Sequence, residues 1–190
     1  DINFNVNNPA LMTATNQDYC GFLSTDYGKT WTYTPAWREA GWGGYAYGCY
    51  PVTEKILVAF KGSGKNALYY STDGGKTGIN TDLTTSYTGY QCITGVKGDN
   101  NIVFANEFRS TNKGSSFTKI SSVAFNGMDV ISTQPDNIYL SSNSGIYIST
   151  DSGATVTQVA AGGLPKYPTR IEVSPVNPNY MVVDNEMLAN

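Results

Sequence analysis

STDYGKTW, Ser24 to Trp31, is a polar turn that runs straight into an aromatic residue, and it returns three times: STDGGKTG at Ser71 to Gly78, STNKGSSF at Ser110 to Phe117 and STDSGATV at Ser149 to Val156. The boxes open at residues 24, 71, 110 and 149, spacings of 47, 39 and 39 residues. Periods of about 40 to 50 residues with strand-like content belong to propeller blades.

Each part of the box has a local job. A carboxylate at Asp26, Asp73 or Asp151 accepts from the backbone N–H groups that follow it, and Asn112 keeps that acceptor without the charge. Gly28, Gly75, Gly114 and Gly153 supply a backbone conformation that a Cβ disfavours. Ser24, Ser71, Ser110 and Ser149 lead into the turn, and Thr30, Thr77 and Thr155 tie its far side. Trp31 is expected to enter the next strand and fill the gap between sheets, as is Phe117, with Gly78 and Val156 as worn versions of that plug.

The repeat extends upstream. ALMTATNQDYCGFLST, ILVAFKGSGKNALYYST, NIVFANEFRST and NIYLSSNSGIYIST each read as an apolar strand, a polar turn and a second strand ending in the box. Turns NVNNP, PVTEK, KGDNN and QPDN precede them, and a fifth, PVNPN at Pro175 to Asn179, precedes YMVVDN. The unit is therefore strand A, turn, strand B, hairpin, strand C, box, strand D. We read one all-β region over 1–190, a β-propeller of four-stranded antiparallel blades at about 2–35, 45–83, 90–123 and 127–159, with a partial fifth at 170–190. Four and a half blades leave open edges, so we expect missing blades of a larger propeller, or self-association, to cover them.

Bulk composition narrows the function classes. Only 14% of the 190 residues are charged, the formal net charge is −3, and the arginines are Arg38, Arg109 and Arg170. A phosphate-binding surface needs clustered Lys and Arg, which argues against nucleic acid. No run reaches the roughly 18 apolar residues of a membrane span, so no membrane insertion is expected. Histidine is absent, which excludes Ser-His-Asp, Cys-His and His-metal chemistry within these residues. Cys20, Cys49 and Cys92 lack metal-ligand spacing and leave one cysteine odd; one disulfide is compatible with them. KGDNN and STDGG have no EF-hand spacing, so no metal or cofactor is expected. Abundant Asn, Ser, Thr, Gly and Tyr suit short strands with a polar, uncharged surface, and we expect an extracellular, cell-surface or virion-surface location.

The pattern S-T-D-x-G-x-T-W, with NNPALMTA and NPNYMVV as blade openings, resembles the Asp-box (BNR) repeat propellers, a superfamily of sialidases, glycoside hydrolase family 74 enzymes and sortilin-type receptors. RIEVSPVNPNYMVV is most similar to the family 74 style. The resemblance implies that the box lies on the blade periphery, away from the substrate face. It carries over no catalytic residue: STDGG at Ser71 to Gly75 is already a box, and the catalytic residues stay unknown. Sialidases grip a carboxylate with three arginines, but Arg109 sits in strand C where the other blades have Leu23, Tyr70 and Ile148.

Propellers bind ligands where connections converge around the channel. The richest such segment is AWREAGWGGYAYGCY, Ala36 to Tyr50. Trp37, Trp42 and Tyr45 offer flat faces for sugar rings, Arg38 and Glu39 offer polar groups for hydroxyls, and Tyr87 and Tyr167 recur at the same place in later blades. Carboxylates on connections and inner strands are Glu39, Glu54, Asp82, Glu107, Asp129, Asp184 and Glu186. The expected function is a non-catalytic surface module that recognises polysaccharide or other glycan, or builds an assembly. The alternative is a fragment of a secreted glycoside hydrolase, xyloglucanase-like before sialidase-like, with catalytic carboxylates partly outside this sequence.

Overall fold

Short alternating strands punctuated by turns cannot bury a face alone, and they resolve this by stacking sheets. The computed structural model describes residues 2–15, 21–38, 46–61, 67–85, 92–131, 134, 136–160 and 168–185. Four four-stranded antiparallel sheets and a two-stranded one follow in chain order. Blade 1 is β1 (Ile2–Phe4), β2 (Met12–Thr15), β3 (Gly21–Ser24) and β4 (Thr32–Tyr33). Blade 2 is β5 (Ala46–Pro51), β6 (Leu57–Lys61), β7 (Ala67–Ser71) and β8 (Ile79–Thr84). Blade 3 is β9 (Ile93–Val96), β10 (Asp99–Ala105), β11 (Phe108–Ser110) and β12 (Thr118–Lys119). Blade 4 is β13 (Gly127–Val130), β14 (Ile138–Ser142), β15 (Gly145–Ser149) and β16 (Thr157–Ala160). Blade 5 contributes β17 (Pro168–Val173) and β18 (Met181–Asn185). The inner strands β1, β5, β9, β13 and β17 pack in sequence, which makes the chain an all-β propeller arc.

The core consists of the blade-to-blade seams. Leu23 and Trp37 of blade 1 meet Cys49, Leu57 and Ala59 of blade 2. The other face of blade 2, with Tyr50, Val58, Phe60 and Leu68, meets Ile93, Val103 and Ala105 of blade 3. Phe104 of blade 3 meets Phe125, Ile138, Leu140 and Tyr147, and Tyr139 and Ile146 of blade 4 meet Ile171 and Val173. Strand alternation explains this: odd and even positions serve opposite seams, so both faces of an interior blade are apolar.

The boxes are built alike. The Ser24 hydroxyl donates to Asp26 Oδ1 at 2.8 Å and accepts the Gly28 N–H at 2.9 Å, while the Thr30 N–H and hydroxyl donate to the two Asp26 oxygens at 2.8 and 2.6 Å. Ser71, Asp73, Gly75 and Thr77 repeat the pattern, as do Ser149, Asp151, Gly153 and Thr155. In the third box Asn112 Oδ1 accepts from Ser110 and from the Ser116 N–H, and its amide donates to the Ser116 hydroxyl at 2.8 Å.

The boxes also join blades. The position before each glycine, Tyr27, Gly74, Lys113 or Ser152, has positive φ and donates its N–H to its own blade, to the A–B turn at Ala10, Lys55 and Asp136 and to the start of the B strand at Asn101. The glycine then lies against the preceding blade. A Cβ on Gly114 would run into Val58, and one on Gly153 into the Phe104 ring. Ala36 N–H of blade 1 donates to Gly75 O at 2.9 Å, and Arg109 Nε of blade 3 donates to Ser152 O at 2.7 Å. Arg109 is thereby a seam residue.

Two sequence expectations need correction. Trp31 does not fill a gap between sheets: it is 38% exposed and folds over its own box, with Nε1 donating to Gly28 O at 3.0 Å. Among the described residues no sheet covers that face of blade 1, so the indole closes on the nearest carbonyl. Gly78 is not a worn plug either, because a Cβ there would press on the Trp37 ring at 3.3 Å. The blade 1 tryptophan occupies the space that Phe117 fills at the next seam, where it packs against the blade 2 cluster.

The box carboxyls give the protein an acid limb. Asp26 is held down to about 2 by the Thr30 hydroxyl and N–H, and Asp73 and Asp151 to about 2 by the N–H and hydroxyl of Thr77 and Thr155. A carboxyl depressed on folding stabilises above its unfolded value, and that stabilisation disappears as pH falls towards the folded value. The melting temperature should therefore hold above about pH 4 and fall between about pH 4 and 2. Asp73→Asn, which reproduces the uncharged third box, should flatten that fall in a pH series of melting curves, and an unchanged slope would contradict it.

Candidate functional site

The inner strands border an open central channel of about 700 Å³, lined from all five blades. One position per blade repeats around it: Asn3, Tyr50, Thr94, Asp129 and Glu172. Antiparallel register sets this equivalence, since each pairs with the matching position of its B strand, Thr13, Val58, Phe104, Tyr139 and Val182. Several of these side chains are already committed to a neighbouring blade. Asp129 Oδ2 accepts the Val173 N–H at 2.7 Å. The Tyr50 hydroxyl accepts the Val6 N–H at 3.2 Å and is pushed up to about 12, chiefly by burial.

The A–B end of the channel is crossed by the turn after β1. Asn5 is fully buried, and its amide donates to Pro51 O at 2.9 Å and Val52 O at 3.0 Å. Asn7 reaches further, to Val96 O at 2.9 Å and Asn100 Oδ1 at 2.8 Å, while Lys97 Nζ donates to Val6 O at 2.9 Å. Blade 1 is thus stapled across blade 2 to blade 3. The turn signal NVNN was legible in the sequence, but its reach was not, because nothing local specifies partners about ninety residues away.

The opposite end carries the B–C and D–A connections. Glu107, 1% exposed, sits in the tight turn between β10 and β11; its Oε2 accepts the Thr85 hydroxyl at 2.8 Å, and Lys119 Nζ stands 3.9 Å from Oε1. Asn106 Oδ1 accepts the Cys92 N–H at 2.9 Å, and the Asn126 amide donates to Asn143 Oδ1 at 2.9 Å. Cys49 and Cys92 are free thiols; burial pushes Cys49 up to about 12, so it is an inert core group.

The aromatic segment behaves differently from its sequence reading. Trp37 is a glycan-stacking candidate by sequence, but it is fully buried, edge-on to Tyr69 with ring centroids 6.5 Å apart. A short 3-10 turn, Pro35–Trp37, directs it inward, and a buried ring has no free face for sugar. Arg38 follows it on the surface, where its carbonyl accepts from Lys61 Nζ at 2.9 Å. Glu39, Trp42, Tyr45, Tyr87, Tyr167 and Glu186 lie outside the described residues, as does Cys20. Of the remaining carboxylates, Asp129 and Asp184 line the channel and Glu107 is buried near the connections. Glu54 lies in the blade 2 A–B turn and Asp82 on the outer strand β8, so those two do not join them.

No protein-family model matches this sequence, and no curated protein does. Solved structures do. The GH74 enzyme of Niastella koreensis superposes with a TM-score of 0.66 at 22% identity over 90% of this chain and 25% of its own. The GH74 xyloglucanase of Xanthomonas campestris gives 0.61 at 16% identity, over 90% of this chain and 31% of its own. YCF48 of Cyanidioschyzon merolae gives 0.52 at 12% identity, over 97% and 70%. These likenesses are of fold: a β-propeller, of which this chain spans about a quarter to a third of the GH74 lengths.

The seam role of Trp37 is open to measurement. Trp37→Ala should lower the unfolding free energy in urea by about 3–5 kcal/mol, the usual cost of emptying a large aromatic site. A loss below about 1 kcal/mol would contradict the packing described.

Proposed function

We propose that this chain is part of a larger extracellular or surface-displayed propeller that binds polysaccharide through the connection end of the channel. The observation that carries it is the shared arc with GH74 enzymes, one of them a xyloglucanase, over nine-tenths of this chain. The sequence supports the same end: Trp42 and Tyr45 stand in a glycine-rich connection beside Arg38 and Glu39, a composition suited to stacking on sugar rings and holding hydroxyls. Tyr87 and Tyr167 recur at the equivalent place in the sequence of later blades. The Asp-box assignment belongs to this reading too, and is supported by the four matching turns.

On this reading the chain binds. Hydrolysis of a glycosidic bond needs two carboxyls facing across it; Asp129 is engaged with the Val173 N–H and Glu107 is buried beside Thr85, and the other carboxyls on the channel wall are Asp184 and Glu172. The second reading is a hydrolase fragment whose acid and base are completed by other blades, favoured by the fraction of the GH74 length spanned.

Retention on a xyloglucan affinity gel separates these from a purely structural module. Trp42→Ala should abolish retention with nearly unchanged melting temperature. Full retention by the variant would overturn the stacking site, and release of reducing ends from xyloglucan would favour the hydrolase reading.

A further inference from the structure

One hairpin of blade 3 holds both stems of the connection that enters it. Ala105 and Phe108 pair directly, so Asn106 and Glu107 form a two-residue turn between β10 and β11. Thr85 follows β8 and Cys92 precedes β9, which makes them the two stems of the connection from blade 2 to blade 3. The Thr85 hydroxyl donates to Glu107 Oε2 at 2.8 Å and accepts from the Asn106 amide at 3.3 Å. At the other stem the Cys92 N–H donates to Asn106 Oδ1, and the Asn106 N–H donates to Cys92 O, both at 2.9 Å. Asn106 adopts a φ of 48° in this turn, a left-handed conformation that asparagine tolerates better than most residues.

Stability gives no reason for an acid at Glu107. Its side chain is 1% exposed, while the cation paired with it, Lys119, is 54% exposed and 3.9 Å away. A carboxylate withdrawn from water for one hydroxyl and one distant ammonium is unfavourable compared with an apolar side chain of similar volume. The hairpin itself does not require it either: blade 4 closes the same two-residue turn with Asn143 and an exposed Ser144 at the matching place. What the Glu107 carboxylate adds is its bond to the Thr85 stem. Between the two stems, residues 86–91 carry Tyr87 and Tyr90 in the sequence SYTGYQ.

We propose that Glu107 is a positioning residue for polysaccharide binding, which acts through the Thr85 hydroxyl on the connection that carries Tyr87. Its own carboxylate is buried and touches no ligand. Glu107 fixes one stem and Asn106 the other, so part of the ordering that a bound sugar chain would otherwise impose is already complete in the free protein. The inference rests on the proposed function and adds to it the group that preorganises the site.

Calorimetric titration with xyloglucan oligosaccharides, below the melting temperature of every variant, tests it. Glu107→Met and Thr85→Val should each weaken binding by the folded protein about tenfold. The double variant should lose no more than either single one, because the two groups act as one unit. Glu107→Gln keeps an acceptor oxygen for the Thr85 hydroxyl and should bind within about twofold of wild type. If Glu107→Met fails to fold, Thr85→Val and Glu107→Gln carry the comparison. A purely structural role would lower the melting temperature and leave the affinity of the folded protein unchanged, and that result would overturn the proposal. Equal losses in Glu107→Gln and Thr85→Val, or losses that add in the double variant, would overturn it as well. Wild-type protein that binds no xyloglucan would overturn the proposed function and this inference with it, whereas wild-type binding with unaffected variants would remove this inference alone.

Discussion

The fold depends on one buried hydroxyl in each four-stranded blade. Ser24, Ser71, Ser110 and Ser149 are each at most 1% exposed, and each accepts the N–H of the box glycine four residues on. That bond curls the C–D turn tightly enough to bring the glycine against the neighbouring sheet, and the aspartate or asparagine satisfies the remaining turn amides. In water such a turn is worth little, since a neutral hydrogen bond nets only about 1 kcal/mol. Its effect comes from position: the same few atoms close a hairpin and seat one blade on the next. The asymmetry between blades follows. The Ser–Gly bond is buried in blades 2 to 4 but only part-buried in blade 1, whose box faces no preceding sheet among the described residues.

Seams, rather than individual sheets, are therefore the units of stability. A blade has two apolar faces and no interior of its own, so removing a seam residue is felt by two blades together, the behaviour of repeat arrays. Polar staples reinforce the inner edge, where Asn5 and Asn7 reach blades 2 and 3 and Asp129 reaches blade 5. These groups occupy the places where a sequence reader searches for catalytic or binding chemistry.

Much of the fold was legible because the box encodes it locally: serine, acid or amide, glycine and a hydroxyl residue at fixed offsets satisfy one turn, and their recurrence, with the fifth turn PVNPN, marked out the blades. The candidate site was less legible. Trp37 reads as an exposed aromatic in a glycine-rich loop, and only the pairing of a 3-10 turn with the missing side chain at Gly78 reveals it as a plug. Trp31 erred in the opposite direction, since a box aromatic is buried only where a neighbouring blade covers it. Glu107 and Asn5 look like surface turn residues and are buried, because their partners come from other strands and other blades. Each failure concerns contact between distant segments, which local pattern does not specify.

Native-state hydrogen exchange at the four box glycines tests the central claim most directly, because it reports the free energy of opening each Ser–Gly bond separately. If the boxes are clasps between blades, the Gly75, Gly114 and Gly153 amides should exchange only with global unfolding, while Gly28 should exchange faster by local opening. Equal, fast exchange at all four would contradict the account and reduce the boxes to independent hairpin turns.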